Sequence, residues 1–183
     1  RYTQYLTYFE RDRALEFIEE NWQDPFFLLL STHAPHGPAT PAEGDEELFS
    51  DYSYRERGWG EENLDDKPLW VRENDESFTD ELIAIRDEFI RDQLRSLQAV
   101  DRSISDIIDE LNSAGVLDKT IIVFVADNGY MWGEHKLYAK NKPYEESVRV
   151  PFVMRIPTIE KSSVDELILA TNDLPVTLLE IAG

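Results

Sequence analysis

The strongest constraint on the fold of this chain is a run of apolar, largely β-branched residues, 120–126, which stops abruptly at Asp127, Asn128 and Gly129. A second apolar run, 150–156, follows after a polar connection. Continuous apolar runs of this length are typical of strands that are buried on both faces in α/β proteins. Ligands of such sheets bind at the carboxyl ends of strands, so Asp127 and Asn128 are predicted to lie at a functional site.

Helical and strand-like patterns alternate along the rest of the chain. The spacing of apolar residues predicts helices over 9–22, 77–112 and 173–182, and a short apolar run predicts a strand over 26–30. Residues 33–76 are predicted to be irregular, and a connection of that length is either functional or mobile. This order predicts the α/β class, with a mainly parallel sheet between helices.

The ends of the long second helix carry recognisable signals. Ser77 is expected to be its N-cap, because Asp80 and Glu81 follow in the first turn, and Gly115 is expected to end it. One face carries apolar residues such as Ile85 at helical spacing, and we expect that face to be buried.

Asp127 and Asn128 supply the kind of oxygen ligands that a divalent cation needs. Carboxylate and amide oxygens are hard donors, which suit Ca²⁺ or Mg²⁺ rather than zinc. Two ligands are too few for Ca²⁺, which takes about six to eight, so further donors must come from elsewhere. Taken alone, the tripeptide could also form an ordinary Asx turn after a strand.

The whole connection carries an ordered set of motifs, which are Asp127-Asn128-Gly129, Gly133-Glu134-His135, Lys140, Tyr144-Glu145 and Arg149-Val150-Pro151. This set resembles the sulfatase family of the alkaline phosphatase superfamily. A second match is Pro35, His36 and Pro38, which fill a Pro-His-x-Pro pattern after the strand expected over 26–30. Residues 94–128 are similar to a helix and strand of the family.

The subgroup is indicated by residues 63–70, which resemble a linker of glucosamine 6-sulfatases and related arylsulfatases. Residues 43–62 have no match in the family pattern. The resemblance otherwise extends over nearly the whole chain, so residues 1–183 are interpreted as one partial sulfatase catalytic domain.

The resemblance implies a role in the site for four of the matched residues. Asp127 and Asn128 would bind the metal, Lys140 would bind the sulfate, and His36 would contact the sulfate or protonate the departing alcohol oxygen. An imidazole suits that work because it ordinarily titrates near neutrality. We expect these four residues to converge at one edge of the sheet. Possible contributors to substrate binding or to the surroundings of the site are His33, His135 and Lys142.

The family's nucleophile has no counterpart in these residues. Sulfatases carry a Cys or Ser in a Cys/Ser-x-Pro-Ser-Arg signature that is converted to formylglycine, whereas this chain has no cysteine and no serine in that context. The formylglycine is therefore expected in a missing N-terminal half, and the chain alone is expected to be inactive. Members of the family are found in periplasmic, secreted or lysosome-like compartments, but no signal in this chain selects one of them.

Charge and hydropathy narrow the possible partners. A net charge of −20 argues against nucleic acid binding, and no apolar stretch is long enough to predict a membrane span. A sulfated small molecule or glycan must therefore bind in a local basic pocket, for which Lys136, Lys140, Lys142 and Arg149 are the densest cluster. The acid-rich residues 43–66 are expected to form a solvated surface loop.

The predicted activity is hydrolysis of a sulfate ester to an alcohol and sulfate. Two alternatives remain at this point. One is phosphate or phosphonate ester hydrolysis within the same superfamily, although the asparagine at position 128, where those relatives often have histidine, favours the sulfatase. The other is a noncatalytic carbohydrate-binding module or pseudoenzyme.

Overall fold

The computed structural model describes residues 4–73, 78–159 and 170–183. Its elements are five α-helices, one 3-10 helix (Leu117–Lys119) and four strands. The helices are α1 (Leu6–Asn21), α2 (Leu69–Arg72), α3 (Asp80–Ser113), α4 (Glu145–Val148) and α5 (Asp173–Ala182). The strands are β1 (Ile122–Val125), β2 (Met131–Trp132), β3 (Tyr138–Ala139) and β4 (Phe152–Arg155).

Helices α1 and α3 pack against each other and form the largest contact between elements in the described residues. The buried residues of α1 include Ala14 and Ile18. The buried face of α3 differs from the prediction, since Ile85 is 59% exposed while small residues such as Ser96, Ala99 and Ser103 are buried. Small side chains let two helices approach closely, and the two serine hydroxyls bond to carbonyls of their own helix.

The limits of α3 follow the expected capping chemistry with one shift. The N-cap is Thr79, whose hydroxyl accepts a hydrogen bond from the Leu82 amide at 3.3 Å. The predicted cap, Ser77, lies outside the described residues. At the other end Gly115 has a φ of 71°, a left-handed conformation that glycine adopts without strain, so its prediction as the helix terminator is confirmed.

The strand predicted over 26–30 is wrong for the described residues, because the segment is in no sheet there. Its exposure still alternates as in a strand, and Phe27 and Leu29 are 70% and 77% exposed. A strand needs the backbone groups of a neighbour, and no described residue supplies them.

Strands β1 and β4 pair antiparallel, with Ile122 opposite Arg155 and Val125 opposite Phe152. Strands β2 and β3 form a second antiparallel pair. A mainly parallel sheet was expected, and within the described residues both ladders are antiparallel instead. Residues 126–151, which connect β1 to β4, contain the short β2–β3 pair and the single turn of α4 but no long crossover helix of the kind that usually joins parallel strands.

Most of the acid-rich residues 43–66 are exposed, as expected, and two ion pairs hold this loop to α3. Asp45 is buried and forms an ion pair with Arg102. Arg55 forms a two-pronged ion pair with Asp87 of α3, at 2.8 and 2.9 Å. This hydrogen bonding from Arg55 lowers the pKa of Asp87. The loop is irregular as predicted, but these ion pairs fix its path.

In the three described stretches, no helix combines the length and the apolar character that crossing a membrane requires.

Candidate functional site

The centre of the site is a contact between two of the predicted residues. The ammonium of Lys140 lies 3.4 Å from the side-chain oxygen Oδ1 of Asn128, and both side chains are half-buried. The amide nitrogen of Asn128 donates to the Gly129 carbonyl at 2.8 Å, which orients Oδ1 toward the lysine. Asp127 lies two residues after the last residue of β1 and is exposed. An amide oxygen and an ammonium group therefore meet just past the end of β1, and Asp127 is the chain neighbour of Asn128.

Gly129 explains why this motif contains a glycine. Its amide donates to the carbonyl of Ser147 in α4 at 3.1 Å. A Cβ atom added here would lie 2.2 Å from the carbonyl oxygen of Glu146 and 3.0 Å from that of Arg149. No side chain fits such a close backbone approach, so glycine is what allows α4 to pack beside Asn128.

Glu134, from the same motif series, holds the fold together. It is 1% exposed, and its carboxylate accepts hydrogen bonds from the Trp132 amide at 2.8 Å and from the Tyr54 hydroxyl. The pKa of Tyr54 is raised, first by burial and then by this hydrogen bond to Glu134. The carboxylate thus joins the acid-rich loop to the β2–β3 hairpin that precedes Lys140.

His135 faces the same loop. Its Nδ1 lies 2.6 Å from a carboxylate oxygen of Glu61, and its ring stacks near Tyr144 with centroids 4.7 Å apart. The hydrogen bond with His135 is the largest cause of the lowered pKa of Glu61, and Lys67 adds to the effect. His135 is therefore oriented by the loop, next to the helix that supports Asn128.

His36 has a defined tautomer. Its Nδ1 lies 2.9 Å from the Gly37 carbonyl oxygen, which can only accept, so Nδ1 carries a proton. The imidazole is exposed, and its Nε2 is the atom that can exchange a proton with a ligand. The ring of His33 lies 5.5 Å away, centroid to centroid, so the two histidines are neighbours as the sequence suggested.

The His36 loop is connected to the hairpin by Gln93, a residue that sequence reasoning missed. The Gln93 amide donates to the Pro35 carbonyl at 3.2 Å and accepts from the Trp132 indole at 3.0 Å. Its position on the helix gave no signal, because an isolated glutamine in a helical pattern is normally read as exposed. The convergence of His36 with Asp127 itself stays a prediction.

Comparison with known proteins decides the family. The family model described as Sulfatase matches residues 3–183. The chain belongs to the sulfatase family. The resemblance inferred from the motifs between Asp127 and Pro151 and around His36 is confirmed.

Similar sulfatases come from distant organisms. The N-acetylglucosamine-6-sulfatase of Capra hircus is 30% identical over 182 residues, covering 98% of this chain and 32% of the relative. The arylsulfatase of Volvox carteri is 33% identical over 192 residues, covering 87% of this chain and 28% of the relative. A solved sulfatase structure from Bacteroides fragilis has a TM-score of 0.77 at 26% identity, covering all of this chain and 38% of that one.

This sulfatase chain spans about a third of the length of these relatives. The α/β fold class expected from the sequence is confirmed by the structural neighbours, which are sulfatases with the alkaline-phosphatase-like fold. The described residues form two strand pairs by themselves, β1–β4 and β2–β3, both antiparallel.

Sulfatases generally use a metal ion together with formylglycine. In the described portions of this chain, no three His, Cys, Asp or Glu side chains are grouped so that they could hold a metal. Asp127 and Asn128 nevertheless fit part of a shell for a hard cation, since both present oxygen atoms and Asp127 is open to solvent.

Proposed function

We propose that this chain supplies the metal-side and sulfate-binding residues of a sulfuric ester hydrolase. The observation that carries the proposal is the 3.4 Å contact between the Lys140 ammonium and Asn128 Oδ1. An anionic group bound beside Lys140 would meet a fixed positive charge, and it would lie next to the oxygen atoms of Asp127 and Asn128 that would hold a cation. Such an arrangement stabilises the charge that develops on a transferring sulfuryl group.

His36 is the residue we assign to the departing alcohol. Because Nδ1–H donates to the Gly37 carbonyl, Nε2 is the ring nitrogen left for the substrate. In the imidazolium form, the Nε2 proton would pass to the ester oxygen as the bond to sulfur breaks, which leaves a neutral imidazole. The ring is exposed, which leaves it accessible to a substrate.

We assign the metal to Asp127 and Asn128 and propose Ca²⁺, with Mg²⁺ as the second choice, because both ligands are hard oxygens. The cation would polarise a sulfate oxygen and lower the pKa of the nucleophile. The remaining ligands and the formylglycine would come from residues beyond this chain.

We propose a sulfated sugar or glycan as the substrate class. Two observations support it. The similar relatives include N-acetylglucosamine-6-sulfatases, and a structural neighbour with a TM-score of 0.71 and 26% identity comes from work on glycosaminoglycan metabolism in Bacteroides thetaiotaomicron. The net charge of −20 repels an anionic ester at long range, so the attraction must come from the lysines close to the bound ester.

Two assays test the proposal. The 183-residue chain with a chromogenic aryl sulfate and Ca²⁺ should show no turnover, because no covalent nucleophile is present. The same chain, produced as part of a protein that also carries the Cys/Ser-x-Pro-Ser-Arg signature of its own gene, should hydrolyse the ester. Preferential hydrolysis of the matching aryl phosphate would instead favour the phosphatase alternative. If neither ester reacted, the protein would be a binding module or pseudoenzyme.

A further inference from the structure

A second basic and aromatic group lies beside Lys140. Helix α2 is anchored by Val71, which is fully buried in a cluster with Met131 and Leu137. The preceding residue, Trp70, consequently points outward and is 44% exposed. Its ring is neighboured by Tyr144, with centroids 6.2 Å apart. A large aromatic surface is thus held rigidly in an exposed position.

Lys142 completes this group. Its ammonium lies 6.0 Å from the centroid of the Trp70 ring. Among the described residues, this cation–π contact is the interaction that the ammonium makes. The backbone of Lys142 is fixed by a hydrogen bond from its amide to the Ser147 hydroxyl at 3.1 Å. The cation is therefore positioned by the loop, and no carboxylate of the described residues pairs with it, although the chain has 38 acidic residues.

The two lysines are close enough to act on one ligand. Only Asn141 separates them, so their Cα atoms lie at most about 7 Å apart. Asn141 has a φ of 67°, which places a sharp bend between the lysines. A ligand whose sulfate is bound by Lys140 could place its sugar ring over Trp70. A second charged group on the far side of that ring would then reach Lys142.

We propose that Trp70, Tyr144 and Lys142 form a subsite for a sugar ring of the substrate that carries a second anionic group, a sulfate or a carboxylate. The indole would cover the apolar C–H face of the ring, and the ammonium of Lys142 would pair with the second anion. The inference rests on the proposed function only for the assignment of the first sulfate to Lys140.

The experiment measures binding of two sugars to the 183-residue chain. The probes are D-glucosamine 6-O-sulfate and D-glucosamine 2-N,6-O-disulfate, followed by NMR through the indole N–H signals of the four tryptophans. The disulfate should shift the Trp70 signal and bind about three- to tenfold more tightly than the monosulfate, the contribution of one partly exposed charged hydrogen bond. The signal is assigned with Trp70→Phe.

Substitutions separate the roles of the side chains. Lys142→Met should remove the preference for the disulfate, and Lys142→Arg should keep it. The control is Lys119→Met, which replaces an exposed lysine of the 3-10 helix and should leave the preference unchanged. Trp70→Ala should weaken both sugars, whereas Trp22→Ala, at a similarly exposed tryptophan, should weaken neither.

The outcomes distinguish this subsite from the proposed function. Lys140→Met should weaken both sugars equally and preserve their ratio. If Lys140→Met had no effect while Lys142→Met abolished the preference, the subsite would stand and the sulfatase assignment of Lys140 would fall. A Trp70 signal that does not move with about 20 mM of either sugar, or a preference that survives in Lys142→Met, overturns the subsite.

Discussion

Gln93 accepts a hydrogen bond from the indole nitrogen of Trp132 at 3.0 Å, and the same buried amide donates to the carbonyl of Pro35. One side chain of α3 therefore fixes both the loop of His36 and the hairpin that leads to Lys140. Residues 35, 93 and 132 are far apart in the chain, so this connection is a property of the tertiary structure.

Gln93→Met should destabilise the protein by about 1–3 kcal/mol, because it leaves the Trp132 indole N–H and the Pro35 carbonyl without a protein partner. The free energy of unfolding in urea measures the effect. Gln98→Met is the matched control, since Gln98 of the same helix donates only to the Leu94 carbonyl of its own turn. Equal loss of stability in both variants would show that the hydrogen bonds of Gln93 to Trp132 and Pro35 do not stabilise the protein.

Tyr54→Phe should destabilise the protein by roughly 1.5–3 kcal/mol, since it removes a donor from the buried carboxylate of Glu134. The unfolding midpoint in urea provides the measurement. Tyr52→Phe is the control, because that tyrosine is 39% exposed. Unchanged stability of Tyr54→Phe would mean that water replaces the hydroxyl at no cost.

Asp87→Asn should change how the unfolding free energy depends on pH. The pKa of Asp87 is lowered in the folded protein, chiefly by hydrogen bonding from Arg55. Its stabilising effect is therefore fully present above the ordinary aspartate pKa of about 3.9 and is lost as the pH falls through the lower folded value. The variant should have a lower free energy of unfolding than the native chain at pH 6. The two free energies should converge at acid pH.

Urea titrations at a series of pH values test this expectation. Asp109→Asn is the control, because Asp109 is an exposed residue of the same helix. If the free energies of unfolding of the native chain and Asp87→Asn differed by the same amount at all pH values, the role of the Arg55 ion pair would be contradicted.

Lys140→Ala should lower kcat/KM for a sulfate ester by two or more orders of magnitude in the protein that includes the formylglycine segment. A charge placed on the transferring group in a partly dry pocket is worth roughly 3 to 4 kcal/mol in the transition state. Lys136→Ala, in the turn between β2 and β3, should change kcat/KM little. If the two substitutions were equally harmless, Lys142 would become the candidate for the sulfate-binding residue.

The sequence by itself determined the elements whose signals are local. Helix α5 was predicted with its observed limits, Gly115 ends α3, and Asn128, one of the polar residues after β1, lies beside Lys140. Apolar spacing, capping and turn chemistry act over a few residues, so they can be read along the chain. The order of motifs around Asp127 and Lys140 was also sufficient to indicate the family.

The tertiary structure decided the contacts between residues that are distant in sequence. It placed Asn128 Oδ1 against Lys140, buried Glu134 beneath Tyr54, and used Gln93 to join the His36 loop to the hairpin. It also left residues 26–30 outside any described sheet and paired β1 with β4 antiparallel. Pairing and burial depend on which partner the folded chain brings near, and local periodicity carries no record of that partner.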